Sequence, residues 1–110
     1  MIISRFIDSD GVRIHYLDSV VKGRGAPIVF IPGLTDVADD YTEVLPMFDR
    51  RIVVLELRGR GRSGAPADGY DLAALRADVN AVVDALTDGP IHLMTFSRGT
   101  SYAIAWTLEH

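Results

Sequence analysis

Ile91-His92-Leu93-Met94-Thr95-Phe96-Ser97-Arg98-Gly99 is an apolar run that meets a serine and passes at once into sequence of helical character. Small residues stand two positions before and two positions after that serine, Thr95 and Gly99. A strand that bends straight into a helix holds the residue at the bend in a strained conformation with its side chain pushed outward. The two arms then pack closely only if those neighbours are small. The stretch therefore predicts a nucleophile elbow with Ser97 at the bend. The usual pattern is G-x-S-x-G, and Thr95 departs from it. The plainer reading makes Ser97 only the N-cap of the next helix, because a serine before an apolar-periodic run is a common helix start.

Around this elbow the chain alternates strands and helices. Gly89-Pro90 precedes the run and closes the strongest helix, predicted over residues 71–86. In it Leu72, Leu75, Val79, Val82, Val83 and Leu86 recur at three- and four-residue intervals as one apolar stripe, and Asp71 occupies the position of a cap or first-turn acid. Upstream, residues 51–57 read as a strand centred on Ile52-Val53-Val54-Leu55, and Ile28-Val29-Phe30-Ile31 as a strand buried on both faces, ended by Pro32-Gly33. Between them, residues 39–48 have modest helical character. Residues 2–7 and 12–17 form a hairpin around Asp8-Ser9-Asp10-Gly11, residues 20–26 a glycine-containing loop, and residues 98–109 a last helix. The strand over 91–94 is expected to be buried. This order predicts an α/β fold with a mainly parallel sheet, an N-terminal antiparallel hairpin and helices on both faces.

Composition limits the function classes. A chain of 110 residues, 48% hydrophobic and 24% charged, has enough apolar sequence for one core. Its net charge of −4 argues against electrostatic attraction to nucleic acid or to an anionic membrane surface. Without cysteine it has neither disulfides nor thiolate metal sites. The opening residues lack a basic region followed by a long apolar core, and no apolar run approaches the ~18 residues of a membrane span. Cytoplasm is the expected location. No residue spacing implies a metal or an organic cofactor.

Several further motifs then fall into a familiar order. Gly11-Val12-Arg13-Ile14-His15-Tyr16, Ile31-Pro32-Gly33-Leu34, Glu56-Leu57-Arg58-Gly59-Arg60-Gly61-Arg62-Ser63 and finally Ser97 follow one another through nearly the whole chain. In this arrangement the sequence resembles the α/β-hydrolase family. The first motif is similar to that family's second strand, the second to the loop after its third strand that helps bind an oxyanion, and the third to its D-x-R-G-x-G-x-S loop with glutamate for aspartate. The resemblance implies that Ser97 is the nucleophile on the fifth strand.

A serine hydroxyl is a poor nucleophile until a base takes its proton, and the tetrahedral intermediate it forms needs donors aimed at the new oxyanion. The helix expected from Arg98 offers one. Its first backbone N–H groups have no intrahelical partner and lie at the positive end of the helix dipole, which makes the Arg98 N–H a candidate donor. The resemblance implies that the Leu34 N–H is the second. Pro32 stands where many members carry histidine, a change that bears on loop shape more than on the donor two residues later.

Two motifs are decoys. Gly59-Arg60-Gly61-Arg62-Ser63-Gly64 satisfies G-x-G-x-x-G after a strand, but a dinucleotide fingerprint must open a helix, and Ala65-Pro66-Ala67-Asp68-Gly69 interposes more loop. The arginines of that loop lack the interleaved aromatics of an RNA patch, and a buried or paired Arg58 is expected instead. His15 and His92 lie within expected strands, where a packed or hydrogen-bonded histidine is the ordinary case, and His110 is the last residue.

By resemblance, the acid and histidine of the triad follow the nucleophile in chain order. Residues 1–110 are accordingly expected to be the N-terminal part of a single hydrolase domain, with later strands, lid and remaining triad residues elsewhere, and to be inactive alone. In the family's strand order the 91–94 strand has a neighbour on each side. A complementary C-terminal segment or a second chain is therefore expected to cover its open edge. The expected function is a serine hydrolase acting on a small-molecule acyl-type substrate, an ester, a lactone or a related acyl or carbon–carbon compound, through an acyl-enzyme. The alternative is a non-catalytic hydrolase-like binding or assembly module in which Ser97 is structural.

Overall fold

Asp10 and Gly11 both adopt positive φ, 48° and 87°, the backbone signature of a two-residue hairpin turn whose twist matches the strands it joins. The strands β1 (Ile3–Ser9) and β2 (Val12–Asp18) consequently run up to this pair, so the turn is tighter than the four residues expected. This is a computed structural model of the protein, and it describes residues 1–23 and 25–110. Arg24, part of the expected loop over 20–26, lies outside the described residues.

Three further strands complete the sheet: β3 (Ile28–Ile31), β4 (Ile52–Leu55) and β5 (His92–Thr95). The order is β1-β2-β4-β3-β5. Strands β4, β3 and β5 run parallel, and β2 joins β4 antiparallel, so the sheet is mixed. Every residue of β3 and β4 is buried, as a continuous β-branched and apolar run on two covered faces requires.

The two faces are covered differently. Val29, Ile31, Val53 and Leu55 pack with Ile14 against the helices α1 (Leu72–Leu86) and α2 (Gly99–Glu109). On the opposite face Ile28, Phe30, Ile52, Val54 and Leu17 meet Ala38 and Leu45, which belong to two 3-10 turns, Ala38–Tyr41 and Leu45–Met47. These short turns replace the helix expected over 39–48. Pro46 has no N–H to give to the preceding turn, and an α-helix cannot run through it without losing that bond.

Helix α1 follows its sequence closely. The Asp71 carboxylate accepts the Ala74 N–H at 2.9 Å as an N-cap. Leu75, Val79, Val82, Val83 and Leu86 are buried, and each fully buried side chain of this kind contributes ~1.5–3 kcal/mol over an exposed one. Leu72, assigned to the same stripe, is 52% exposed at the first position of the helix. Strand β5 is a larger departure. Its burial was expected, yet His92 is exposed and Leu93, Met94 and Thr95 are only half-buried, since among the described residues β5 pairs with β3 alone.

A buried carboxylate ties β2 to β4. Asp18 accepts Arg5 Nε at 2.8 Å, Arg51 Nη2 at 2.6 Å and the Val20 N–H at 2.8 Å. Burial alone would raise its pKa. The Arg51 hydrogen bond, together with the Val20 amide and Arg5, outweighs burial and holds it below the usual carboxylate range. A depressed folded-state pKa adds stability that is complete above the unfolded value of about 3.9 and is lost as pH falls through the lower folded value. Asp18→Asn is thus expected to lower stability near neutral pH and to flatten the acid limb of a urea-midpoint-versus-pH curve. An acid limb as steep as the parent's contradicts this role.

Candidate active site

The chain reverses at Ser97. Strand β5 ends at Thr95, Ser97 takes φ +53°, and α2 begins at Gly99. A left-handed conformation is uncommon for a residue with a β-carbon and costs ~1–3 kcal/mol. It persists because hydrogen bonds fix both sides of the bend: Phe96 N–H donates to the Ile31 carbonyl at 3.2 Å, and Thr100 N–H to the Ser97 carbonyl at 3.1 Å. Ser97 is exposed. Its hydroxyl caps nothing, since the N-cap position is Arg98 and no side chain bonds there. That disposes of the plainer reading of Ser97 as the helix cap.

Of the two small positions beside the bend, one is sterically strict. A β-carbon on Gly99 would lie 2.1 Å from the Ile31 carbonyl oxygen and 2.6 Å from that of Pro32. Helix α2 therefore approaches the end of β3 at backbone contact distance, which only glycine permits. Thr95 has no such constraint. Its hydroxyl sits 2.9 Å from Thr100 Oγ1, in a groove along α2.

The loop after β3 presses against this bend. An added β-carbon on Gly33 would lie 3.4 Å from Phe96, the residue before Ser97. Asp36 closes the loop by accepting the Gly33 N–H at 2.9 Å and the Tyr41 hydroxyl, while its own N–H returns to the Gly33 carbonyl at 3.1 Å. Burial, with Asp36 as the second cause, pushes the Tyr41 hydroxyl far above its ordinary pKa and keeps it a donor. Arg60 Nε donates to the Leu34 carbonyl. Among the described residues the backbone N–H groups of Leu34 and Arg98 have no backbone acceptor. Both residues line one cleft of about 440 Å³, shared with Leu57, Tyr70, Leu75 and Tyr102. The helix begins one residue later than expected, which leaves Arg98 at the cap with its N–H ahead of the first turn.

The loop after β4 is a brace. Gly59 N–H closes it on the Gly64 carbonyl at 2.8 Å, and α1 starts only at Leu72, so the glycine pattern opens no helix. Arg58 is buried and paired, as expected: Nε and Nη2 reach the Asp78 carboxylate at 2.9 and 2.7 Å, and Nη1 reaches the Gly69 carbonyl. The Asp78 hydrogen bond raises the Arg58 pKa against the opposing effect of burial.

Glu56, buried beneath, accepts His15 Nδ1 at 2.7 Å, the Ala38 N–H at 2.7 Å and the Arg62 N–H at 2.8 Å. It thereby joins β2, the loop after β3 and the loop after β4. Gly61, at φ +47°, leaves room for that carboxylate, which a β-carbon would meet at 2.2 Å.

Sequence reasoning missed Asp36, Arg60 and the joining role of Glu56. Only Asp36 had a local signal, the Gly-x-x-Asp spacing of a side-chain-closed turn.

The histidines are placed away from Ser97. His15 is fully buried between Glu56 and Ser4. His92, expected to be packed or hydrogen-bonded, is exposed on the edge strand. His110 stacks on Trp106 at 4.2 Å.

Comparison with known proteins agrees with this geometry. A family model described as alpha/beta hydrolase fold matches residues 26–110. A non-heme chloroperoxidase from Streptomyces lividans is 36% identical over 89 residues, 77% of this chain and 32% of that protein. Among solved structures, an N-acyl homoserine lactone degrading enzyme is 33% identical with a TM-score of 0.82, covering 96% of this chain and 40% of that one. The Cif epoxide hydrolase from Acinetobacter nosocomialis is 26% identical with a TM-score of 0.83, covering 99% and 34% respectively. The chain spans about a third of the length of the curated relatives it matches. No helix among the described residues is long and apolar enough to cross a membrane. A mixed sheet in this strand order, an abrupt reversal between β5 and α2, and the family match over residues 26–110 lead to one assignment: the chain belongs to the α/β-hydrolase fold family.

Proposed function

We propose that the chain is the nucleophile-bearing part of a serine hydrolase that cleaves esters, lactones or related acyl or carbon–carbon substrates through an acyl-enzyme. The observation that carries this reading is the strained, exposed bend at Ser97, φ +53°. Backbone strain held at an exposed nucleophile is the usual mark of a working elbow. Similarity to a lactone-degrading enzyme supports an acyl substrate. Serine in place of aspartate at the bend argues against an alkyl-enzyme route of the epoxide or haloalkane type.

In this mechanism a base takes the Ser97 proton as Oγ bonds to the acyl carbon. The carbonyl oxygen becomes an oxyanion and accepts from the Leu34 and Arg98 N–H groups. The carbonyl re-forms as the leaving group departs with a proton returned from the base, and water repeats the sequence to free Ser97. The base and its acid partner lie outside residues 1–110. We place them on a segment, of the same chain or a second one, that pairs with the open edge of β5 and covers Ile104 and Leu108, exposed at 55% and 82% along α2.

A second reading, a non-catalytic module, draws on one observation: among the described residues no histidine side chain bonds to Ser97. Fluorophosphonate labelling of the complete assembly with peptide mapping separates the two. Modification at Ser97, abolished in Ser97→Ala, is expected. An unmodified Ser97 under conditions that label a control serine hydrolase overturns the catalytic proposal in favour of the binding module.

A further inference from the structure

The cleft that contains Leu34 and Arg98 is also lined by Arg58 and Arg60, with Leu57, Leu75 and Tyr102 as apolar wall. Among the described residues three arginines and no carboxylate line it, in a chain with 15 acidic residues against 11 basic ones. Their charges are not equally free. Arg58 is neutralised by Asp78 through two hydrogen bonds. Among the described residues Arg60 bonds only to the carbonyls of Leu34 and Gly59, which hold its position without cancelling its charge. The Arg98 side chain forms no salt bridge and no hydrogen bond among the described residues. Two guanidinium groups without a carboxylate partner among the described residues thus border one apolar-walled recess, where their like charges add to a local positive potential.

From this we infer that the cleft is an anion subsite for the substrate: it takes a compact carboxylate at the end of the acyl or leaving group opposite the bond attacked by Ser97. The planar guanidinium fork matches a carboxylate in shape as well as charge. A volume of about 440 Å³ has room for the carboxylate-bearing end of a short dicarboxylic acid monoester or of a lactone, with the reacting end left toward Ser97, which does not itself line the cleft. The assignment of the anion to a hydrolysed substrate rests on the Ser97 reading, whereas binding of the anion does not.

The test has a binding arm and a kinetic arm, both on the full-length protein. Glutarate is titrated into Ser97→Ala protein while the arginine Nε–H signals are followed by NMR, with glutaramide as the neutral control and inorganic phosphate as the other anion. Glutarate is expected to shift the Arg60 and Arg98 signals, with glutaramide silent and phosphate weaker. Replacing Arg98 by glutamine is expected to weaken glutarate binding about tenfold, the effect of losing one charge-assisted contact, and Arg98→Lys to restore part of it.

In the kinetic arm, two para-nitrophenyl esters are compared, the anionic hydrogen glutarate and the neutral butyrate. Arg98→Gln is expected to raise KM for the anionic ester several-fold more than KM for the neutral one, so that the preference between the two esters changes and not only the overall rate. Equal shifts with glutarate and glutaramide, or glutarate binding unchanged in both Arg60→Gln and Arg98→Gln, overturn the subsite. Phosphate binding more tightly than glutarate overturns the carboxylate assignment. Glutarate binding alongside an unlabelled Ser97 leaves the subsite standing and removes the hydrolase reading. A labelled Ser97 without preference for the anionic ester does the reverse.

Discussion

Gly99→Ala is expected to destabilise the protein by ~3 kcal/mol or more, at or beyond the upper end of ordinary overpacking costs. The added carbon would stand 2.1 Å from one carbonyl oxygen and 2.6 Å from the next, both backbone atoms at the end of β3 and its continuation. No rotamer change relieves such a contact, so α2 must move away from the sheet. Because Ser97 lies between β5 and α2, the bend opens as the helix moves, and Ser97 labelling falls with stability. Gly89→Ala is the control: its nearest neighbour, Thr87 Oγ1 at 3.5 Å, is at ordinary contact distance, and a change within about 0.5 kcal/mol is expected. Urea midpoints of the two variants decide the matter. A Gly99→Ala protein as stable as the parent means that the helix does not approach β3 this closely.

Glu56→Ala is expected to cost ~3–5 kcal/mol, the range for removing one member of a buried hydrogen-bonded pair. The substitution leaves His15, which is fully buried, and the N–H groups of Ala38 and Arg62 without their acceptor. Glu56→Gln keeps the shape but puts an amide NH2 against a donor, with an expected loss of ~1–3 kcal/mol. The loss has a local signature. Amide hydrogen exchange at Ala38 and Arg62 should accelerate more than exchange at Val79 in α1, because both loops hang on this one carboxylate. Uniform acceleration would instead mean that Glu56 acts only through global stability.

The parts of the fold readable from sequence are those determined by neighbours in the chain. Ile28–Ile31 is legible to the residue because a continuous apolar run bounded by Pro27 and Pro32 admits little else. Helix α1 is legible to within one residue because its cap and its stripe are local. The exposure of β5 is not legible in the run over 91–94 itself, because burial depends on how many strands flank it; the open edge follows only from the strand order that the family resemblance implies. Over 39–48 the weak helical periodicity misleads, since it yields to Pro46 and to the side-chain bonds of Asp36 and Asp40. At the site, Ser97 and its turn are readable from a nine-residue window. The braces are not, since Arg60 reaches 26 residues back to Leu34, and His15 lies 41 residues from Glu56.

Asp78 has a consequence for the order in which the molecule is built. Its carboxylate bonds to Ser9, 69 residues earlier, and to Arg58, 20 residues earlier. On the ribosome the hairpin and the arginine loop emerge well before α1, so the loop bordering the cleft stays unbraced until that helix clears the exit tunnel. The wall of the cleft at Arg58 is consequently fixed only after a later segment has been made, and a nascent chain halted before residue 78 carries Arg58 without the acid that orients it.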